Sequence, residues 1–137
     1  MRTSEQGIAF IKRSEGFASK PYNDNGHQAI GYGHDYERGE PVPPQISQEQ
    51  ADALLRADLA ARYEPAVNKG IPVECTQNQF DALVDFAYNL GIASLAMMLN
   101  HGWEQVPAQM LRWNHVNGAV NPGLTARRQA EVQMFNS

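Results

Sequence analysis

The chain alternates between stretches with helical hydrophobic spacing and stretches rich in glycine and proline. Near the start, Thr3 and Gln6 have the spacing of a capping box, and apolar residues from Ile8 to Ile11 follow on one side. This pattern predicts a short first helix that Gly16 ends. Residues 17–43 mix glycines, prolines and tyrosines, a composition typical of turns and short strands, so we predict a small β-hairpin region there.

Helical patterns dominate the rest of the chain. The segment from residue 51 to about residue 67 follows the capping box Ser47-Gln48-Glu49-Gln50, and it predicts the longest helix. A helical face with the spacing i, i+3, i+4, i+7 is formed by Phe80, Leu83, Val84 and Ala87. It predicts a helix that is central to the core. Three further helices are predicted between Gly91 and Gly102, at 103–113 and at 122–135, with an Asn- and Gly-rich turn at 114–121.

These elements together predict an α+β fold in one domain, since 137 residues is the size of a single domain. We expect a small β-rich lobe at about 15–45 and a helical lobe at about 47–137, which includes the N-terminal helix. No internal repeat, charge block or low-complexity linker divides the chain.

Composition and charge narrow the possible partners. The chain is 42% hydrophobic and 19% charged, as expected of a globular protein with a core. Its net charge is −4 and its basic residues are scattered, so we expect no nucleic-acid binding. The apolar stretch Ile92 to Leu99 is far shorter than the ~20 residues of a membrane span, so we expect neither membrane insertion nor a signal peptide. A single cysteine, Cys75, excludes an internal disulfide.

A dense polar segment holds two carboxylates in contrasting surroundings. Glu15 is expected at the C-terminal end of the first helix beside Phe17, where the helix dipole and the apolar neighbour should raise its pKa. Asp24 lies between two asparagines in a polar turn and should stay ionised. Such a pair is suited to general acid and general base roles. The same residues are also compatible with a solvated helix end and an Asx turn.

Competing motifs in the same segment are weaker. A calcium loop would place its first and last ligands at Pro21 and Tyr32, and neither supplies a carboxylate. His27, His34 and Asp35 match no zinc signature. The Gly-Tyr-Gly sequence lacks the third glycine and the strand-to-helix setting of a phosphate-binding loop. We therefore predict no metal and no cofactor.

Four pieces of sequence stand in a recognisable order and spacing. They are Ser14-Glu15-Gly16-Phe17 with Tyr22-x-Asp24, Ile30-Gly31-Tyr32-Gly33-His34, Phe80 to Gly91, and Leu111-Arg112-Trp113 followed by Pro122 to Glu131. In this combination the chain resembles the phage-type lysozyme family of glycoside hydrolases, from about residue 5 to residue 135. The resemblance implies a lysozyme-like fold of two lobes, with peptidoglycan bound in the cleft between them. It also implies hydrolysis of the bond between N-acetylmuramic acid and N-acetylglucosamine.

The resemblance implies roles for individual residues. Glu15 matches the family's catalytic acid, and Asp24, nine residues later, matches its catalytic aspartate. Arg127 falls where the family places an arginine against that glutamate, and His34 matches a histidine expected to be structural. The candidate substrate-binding residues are Tyr32, Asn89 and Gln28. Tyr32 and Asn89 are equally compatible with buried positions in the core.

One position departs from the family pattern. The family usually has a threonine before Ile-Gly-Tyr-Gly-His, and its hydroxyl helps to hold the attacking water. This chain has Ala29 there, and it is one residue shorter between Asp24 and Ile30. The side chains that we consider as replacements are those of Gln28, His27 and Asn25. The region from Ile92 to Asn100 also looks shortened, which would reshape the cleft.

We interpret the chain as a muramidase in which Glu15 protonates the glycosidic oxygen and Asp24 handles the water. Asp24 is expected in a turn beyond the end of the Glu15 helix, far enough away to admit a water, which favours inversion. The alternative is a peptidoglycan-binding module that keeps the fold but has lost turnover through Ala29.

The biological setting stays open among three possibilities: a phage endolysin released by a holin, a tail lysozyme, and the lytic domain of a secreted effector. Each requires synthesis in the cytoplasm followed by delivery to the periplasm or cell wall. We expect bacterial peptidoglycan as the partner, a monomeric protein and no cofactor.

Overall fold

A computed structural model describes all 137 residues and contains a three-stranded antiparallel sheet near the N-terminus. Its strands, in the spatial order β1-β2-β3, are β1 (Ala18–Asp24), β2 (His27–Gly31) and β3 (His34–Tyr36). The sequence predicted a single hairpin, and the structure adds a third strand to it. The third strand arises because Gly31 and Gly33, with φ of 70° and 87°, turn the chain back within a few residues.

The register of the sheet decides which side chains share a face. Tyr22 of β1 lies opposite Ala29 of β2, and Ala29 lies opposite Asp35 of β3. Because side chains alternate along a strand, Asp24 shares the face of Tyr22. The other face carries the paired residues Ile30 and His34, together with Asn23, Gln28 and Tyr36.

The remaining structure is helical. The α-helices are α1 (Glu5–Glu15), α2 (Gln48–Asp58), α3 (Glu64–Gly70), α4 (Gln77–Leu90), α5 (Ile92–Leu99), α6 (Val106–Met110) and α7 (Pro122–Phe135). A π-helical turn, Leu59–Tyr63, joins α2 to α3, so the predicted longest helix is one continuous helical run. Pro65 lies in the first turn of α3 and has no N–H to donate, so the wide turn before it accommodates the lost hydrogen bond.

The predicted central helix is confirmed. Phe80, Leu83, Val84 and Ala87 of α4 are completely buried. This helix packs against α1, α3, α5 and α7, so a single core extends across the helical part of the chain.

The segment at 103–121 differs from its prediction. A short 3-10 turn, Trp103–Gln105, precedes α6, which ends at Met110. The expected loop forms a small hairpin of β4 (His115–Val116) and β5 (Ala119–Val120). Asn117 and Gly118 at its tip both have positive φ, which is the conformation that a two-residue hairpin turn of this type needs.

None of the helices combines the length and the apolar content that crossing a bilayer requires.

Two polar contacts fasten the sheet to the helices. His34 Nδ1 lies 2.6 Å from Asp58 Oδ2 at the end of α2. The Tyr88 hydroxyl of α4 donates a hydrogen bond of 2.5 Å to the carbonyl oxygen of Tyr32, in the turn before β3. The sheet is thus held at fixed points to both α2 and α4.

The His34–Asp58 contact predicts a pH-dependent contribution to stability. The hydrogen bond with Asp58 raises the pKa of His34, against the opposing effect of burial. Because the raised value lies above the unfolded value of about 6.5, this contribution is present in full below about pH 6.5 and is lost as pH rises through the raised value. We expect wild type to lose about 1–2 kcal/mol more than His34→Gln between about pH 6 and pH 9, measured by urea unfolding.

His101→Gln is the matched control, because this histidine is exposed. Its stability should follow wild type across the same pH range. Parallel curves for wild type and His34→Gln would show that the ion pair contributes nothing.

Candidate active site

Glu15 is the last residue of α1, and its carboxylate lies against the sheet. Gly16 ends the helix, donating its N–H to the carbonyl oxygen of Lys12. A Cβ at Gly33 would lie 2.9 Å from Glu15 Oε1 and 3.3 Å from the Tyr88 hydroxyl. Gly33 also has a φ of +87°, so both the backbone conformation and the close approach require glycine here.

The pKa of Glu15 is raised, as predicted, but for a different principal reason. Burial raises it most, Arg127 lowers it by charge and by a hydrogen bond, and the negative charges of Asp85 and Asp24 raise it again. Phe17, which the sequence placed beside Glu15, packs against another aromatic ring and is partly exposed. A carboxyl whose pKa is raised in this way retains its proton closer to neutral pH, which suits a general acid.

Arg127 of α7 joins Glu15 to a second, buried carboxylate. Its Nη1 lies 2.7 Å from Glu15 Oε2. Its Nε and Nη2 donate to both oxygens of Asp85, at 3.0 and 2.8 Å. The side chain of Asp85 is only 1% exposed, and that of Arg127 is 11% exposed. The guanidinium therefore fixes the end of α1 to the middle of α4.

Sequence reasoning missed Asp85, although a signal was present. Asp81 and Asp85 stand one helical turn apart among the most buried residues of α4, where an isolated charge is costly. Asp81 accepts hydrogen bonds from the backbone N–H and the hydroxyl of Ser4, at the start of α1. Gly7 allows this approach, because a Cβ there would lie 2.6 Å from the Asp81 carboxyl carbon. The two aspartates thus hold both ends of α1.

A second buried ion pair lies behind Arg127. Arg128 and Glu131 are fully buried, with Nε and Oε1 2.5 Å apart. Burial raises the pKa of Glu131, and a hydrogen bond with Asp85 raises it further. Arg128 Nη2 also donates to Asn89 Oδ1 at 2.7 Å. Asn89, a predicted substrate-binding residue, is thus hydrogen-bonded to a buried arginine.

Asp24 ends β1, immediately before a tight turn. Asn25 and Gly26 have φ of 51° and 89°, and Asn23 Oδ1 accepts from the Gly26 N–H at 3.0 Å. Asp24 is on the sheet face of Tyr22, and its negative charge acts on Glu15. The structure therefore brings Glu15 and Arg127 into contact and places Asp24 close enough for its charge to act on Glu15.

The other predicted residues differ in position. Tyr32 is 9% exposed, with Lys12 Nζ 5.3 Å from its ring centroid, so it lies largely in the core. Gln28 is exposed but belongs to the sheet face opposite to that of Asp24. Among the side chains considered as replacements for the missing hydroxyl, His27 is the strand residue that shares the face of Asp24.

Three tyrosines surround the carboxylates, and the sequence did not predict them as a group. Tyr63 and Tyr88 pack edge to face with ring centroids 5.2 Å apart, and Tyr22 is 41% exposed on the sheet. Burial raises the pKa of each phenol, and the negative charge of Glu15 raises each one further. Three aromatic side chains therefore lie close to Glu15.

A surface hollow away from Glu15 has a different character. The hollow that forms between α3 and α5 has a volume of about 690 Å³, and its lining is mainly apolar and contains no carboxylate. No group of three or more histidine, cysteine or carboxylate side chains is arranged to hold a metal ion. The cluster around Glu15 differs from this hollow in that two largely buried carboxylates share one arginine.

Comparison with known proteins places the chain in a family. The model of the family described as phage lysozyme matches residues 12–131. An endolysin of Bacillus phage PZA is 43% identical over 100% of this chain and 56% of its own length. An endolysin of Acyrthosiphon pisum secondary endosymbiont phage 1 is 38% identical, over 100% of this chain and 99% of its own.

A solved structure supports the same assignment. The muramidase domain of SpmX from Asticaccaulis excentricus is 33% identical, with a TM-score of 0.87 over 99% of this chain and 98% of that chain. The chain spans just over half the length of the two Bacillus phage relatives that it matches. The predicted lysozyme-like α+β fold is thereby confirmed. The match over residues 12–131 shows that the chain belongs to the phage lysozyme family.

Proposed function

We propose that this protein is a peptidoglycan muramidase that hydrolyses the β-1,4 bond between N-acetylmuramic acid and N-acetylglucosamine with inversion. The observation that carries the proposal is the largely buried Glu15 carboxyl, which has a raised pKa and is held by Arg127. Asp24, on the neighbouring sheet, supplies the second carboxylate. Relatives named endolysins and a relative named a muramidase domain support it.

Glu15 acts as the general acid. Its side chain is 19% exposed, so the carboxyl reaches the cleft while most of its surface is out of water. Burial favours the protonated form, which can deliver a proton to the glycosidic oxygen as the bond breaks. Arg127 fixes one carboxylate oxygen, Oε2, and leaves the other close to the backbone of Gly33.

Asp24 acts on the water. A carboxylate on the opposite wall of the cleft can accept a proton from a water that attacks the anomeric carbon from the side away from the leaving group. Asp24 influences Glu15 through its charge, from a different element of the fold. This arrangement supports a water between Asp24 and the sugar, and hence inversion.

The cleft walls bind the sugars. Tyr22 offers an exposed ring beside Asp24, on which a sugar ring can stack. Tyr32 and Asn89 support the sugar-binding surface from the protein interior. Tyr32 packs in the core, and Asn89 is held by its hydrogen bond from Arg128. Gln28 lies on the face of the sheet opposite to that of Asp24, so it contacts the substrate only if the glycan extends round the edge of the sheet.

The biological role follows from the proposed reaction. The protein acts as a monomer on bacterial peptidoglycan and does not bind nucleic acid or require a cofactor. It reaches the periplasm or cell wall by holin release, on a phage tail or through a secretion machine. The catalytically weakened binding module is the alternative, and Ala29 is the observation that favours it.

Glu15→Gln should remove nearly all activity, because the amide keeps the shape of the side chain and has no transferable proton. We expect the release of reducing ends from purified peptidoglycan to fall by about 10²–10⁴-fold. Glu104→Gln, a change at an exposed carboxylate, is the matched control and should behave as wild type. A Glu15→Gln protein that keeps more than about a tenth of the rate is not using this acid.

The same assay separates the two candidate functions. A binding module would sediment with purified peptidoglycan, yet wild type would release no reducing ends. A muramidase would release reducing ends. Its Glu15→Gln variant would lose this activity but would still sediment with peptidoglycan.

Arg127→Gln tests the positioning of Glu15. The substitution leaves Asp85 buried without its partner, so the free energy of unfolding should fall by about 3–5 kcal/mol. It also removes the charge that lowers the pKa of Glu15, so the alkaline limb of the rate profile should move to higher pH while the maximum rate falls. Arg112→Gln, an exposed change, is the control. An unmoved alkaline limb would mean that Arg127 does not act on the acid.

Inversion is tested by the anomer of the first product. Attack by water from the opposite face converts the β linkage into an α-anomer, which proton NMR resolves before mutarotation. We expect the α-anomer first. A first-formed β-anomer, or a mass spectrum that shows a glycosyl adduct on Asp24, would mean retention instead.

A further inference from the structure

Ala29 leaves the proposed reaction without the hydroxyl that the family usually presents to the water. The three side chains considered from sequence do not replace it well. Gln28 faces the other side of the sheet, and Asn25 lies in the turn. His27 lies opposite Asp24 at the end of the hairpin, so it is two residues from Ala29 along β2 rather than directly across from it.

Asp35 is the polar side chain that lies next to the position of the missing hydroxyl. It pairs directly with Ala29 across β2 and β3, so the two side chains share one face. Tyr22 pairs with Ala29 from the other side, and Asp24 follows two residues later on the same face. Ala29 has a single methyl group, so the smallest side chain of this face lies between Asp24 and Asp35.

Asp35 also lies near the three tyrosines that surround Glu15. Burial raises the pKa of Tyr22, Tyr63 and Tyr88, and the negative charges of both Glu15 and Asp35 add to the shift of each. Tyr63 and Tyr88 belong to the helical part, opposite the sheet. Asp35 therefore lies near the same group of rings as the proposed acid.

The charged neighbours of Asp35 favour a shared proton at low pH. Asp35 is an exposed residue, but partial desolvation of its carboxyl raises its pKa, and the charge of Asp24 and a hydrogen bond with Asp24 raise it further. His27 on β2 and His34 on β3 act in the opposite direction. As pH rises through the raised value, the proton leaves and two carboxylates face each other above Ala29.

We propose that Asp35 is a second catalytic carboxylate, which holds the nucleophilic water together with Asp24 in place of the absent hydroxyl. The inference rests on the proposed muramidase function. Each carboxylate accepts one hydrogen bond from the water, which turns a lone pair of the water oxygen toward the anomeric carbon. Repulsion between the two carboxylates is relieved by the water and by the positive charge that develops on the sugar.

The step balances. The water oxygen forms a bond to the anomeric carbon, and the bond from that carbon to the glycosidic oxygen breaks. Glu15 gives its proton to the leaving oxygen, while one proton of the water passes to Asp24. Asp35 remains ionised, and exchange with solvent then returns a proton to Glu15 and removes one from Asp24.

The test compares Asp35→Ala and Asp35→Asn with wild type on soluble peptidoglycan fragments. For Asp35→Ala we expect kcat to fall about tenfold, the loss of one charge-assisted hydrogen bond, with KM changed less than about twofold. For Asp35→Asn the amide oxygen still accepts from water, so most of the rate should remain. In both variants the acid limb of kcat/KM should move to lower pH, because the carboxyl with the raised pKa is gone.

A control and a second measurement keep the outcomes separate. Glu37→Ala removes an exposed carboxylate just after β3 and should leave the rate and the pH profile unchanged. Carbon NMR of the Asp35 carboxyl should show a raised titration midpoint that falls in Asp24→Asn. An Asp35 that titrates like an ordinary aspartate overturns the inference, as does an Asp35→Ala protein whose acid limb does not move. A wild type that releases no reducing ends overturns the proposed function as well.

Discussion

The buried guanidinium of Arg127 is the contact on which the arrangement of the site depends. It binds Asp85 through two hydrogen bonds and Glu15 through one ion pair, so it joins α7, α4 and the end of α1. Removing one partner of such a buried group leaves an uncompensated charge, which costs about 3–5 kcal/mol. The position of Glu15 is therefore coupled to the packing of three helices rather than to a surface loop.

Two side-chain contacts fix the position of the sheet relative to the helices. The Tyr88 hydroxyl of α4 binds the carbonyl oxygen of Tyr32, and the His34–Asp58 contact ties β3 to α2. Gly33 brings the backbone of the turn against the Glu15 carboxyl. The pairing of Asp24 with His27 then sets the position of Asp24 along the sheet, because a change of register would move it to the other face.

Local patterns explain what could be predicted from the sequence. The helical face of α4 and the motif around Glu15 depend on residues close together in the chain, and Arg127 came from the resemblance. Asp85 meets Arg127 across 42 positions, a pairing that no local pattern reveals. Gln28 and Asp35 illustrate the limit for strands, because successive residues of a strand point to opposite faces of the sheet. Gln28 is close to Asp24 in sequence but lies on the other face, whereas Asp35 is eleven positions away and shares the face of Asp24. The hairpin at Asn117 had a local Asn-Gly signal that the prediction did not use.

The charge balance around Glu15 explains how a carboxyl beside an arginine can still retain a proton. Arg127 alone would favour the ionised form, but two of its donors are engaged by Asp85, whose negative charge also acts on Glu15. Burial then has the largest effect, and it favours the neutral carboxyl. Asp85 thus has two functions at once, because it holds the arginine in place and offsets the arginine's effect on the acid. Without Asp85, Arg127 would lose two of its hydrogen bonds and would lower the pKa of Glu15 further, so fewer molecules would carry the proton on Glu15 at neutral pH.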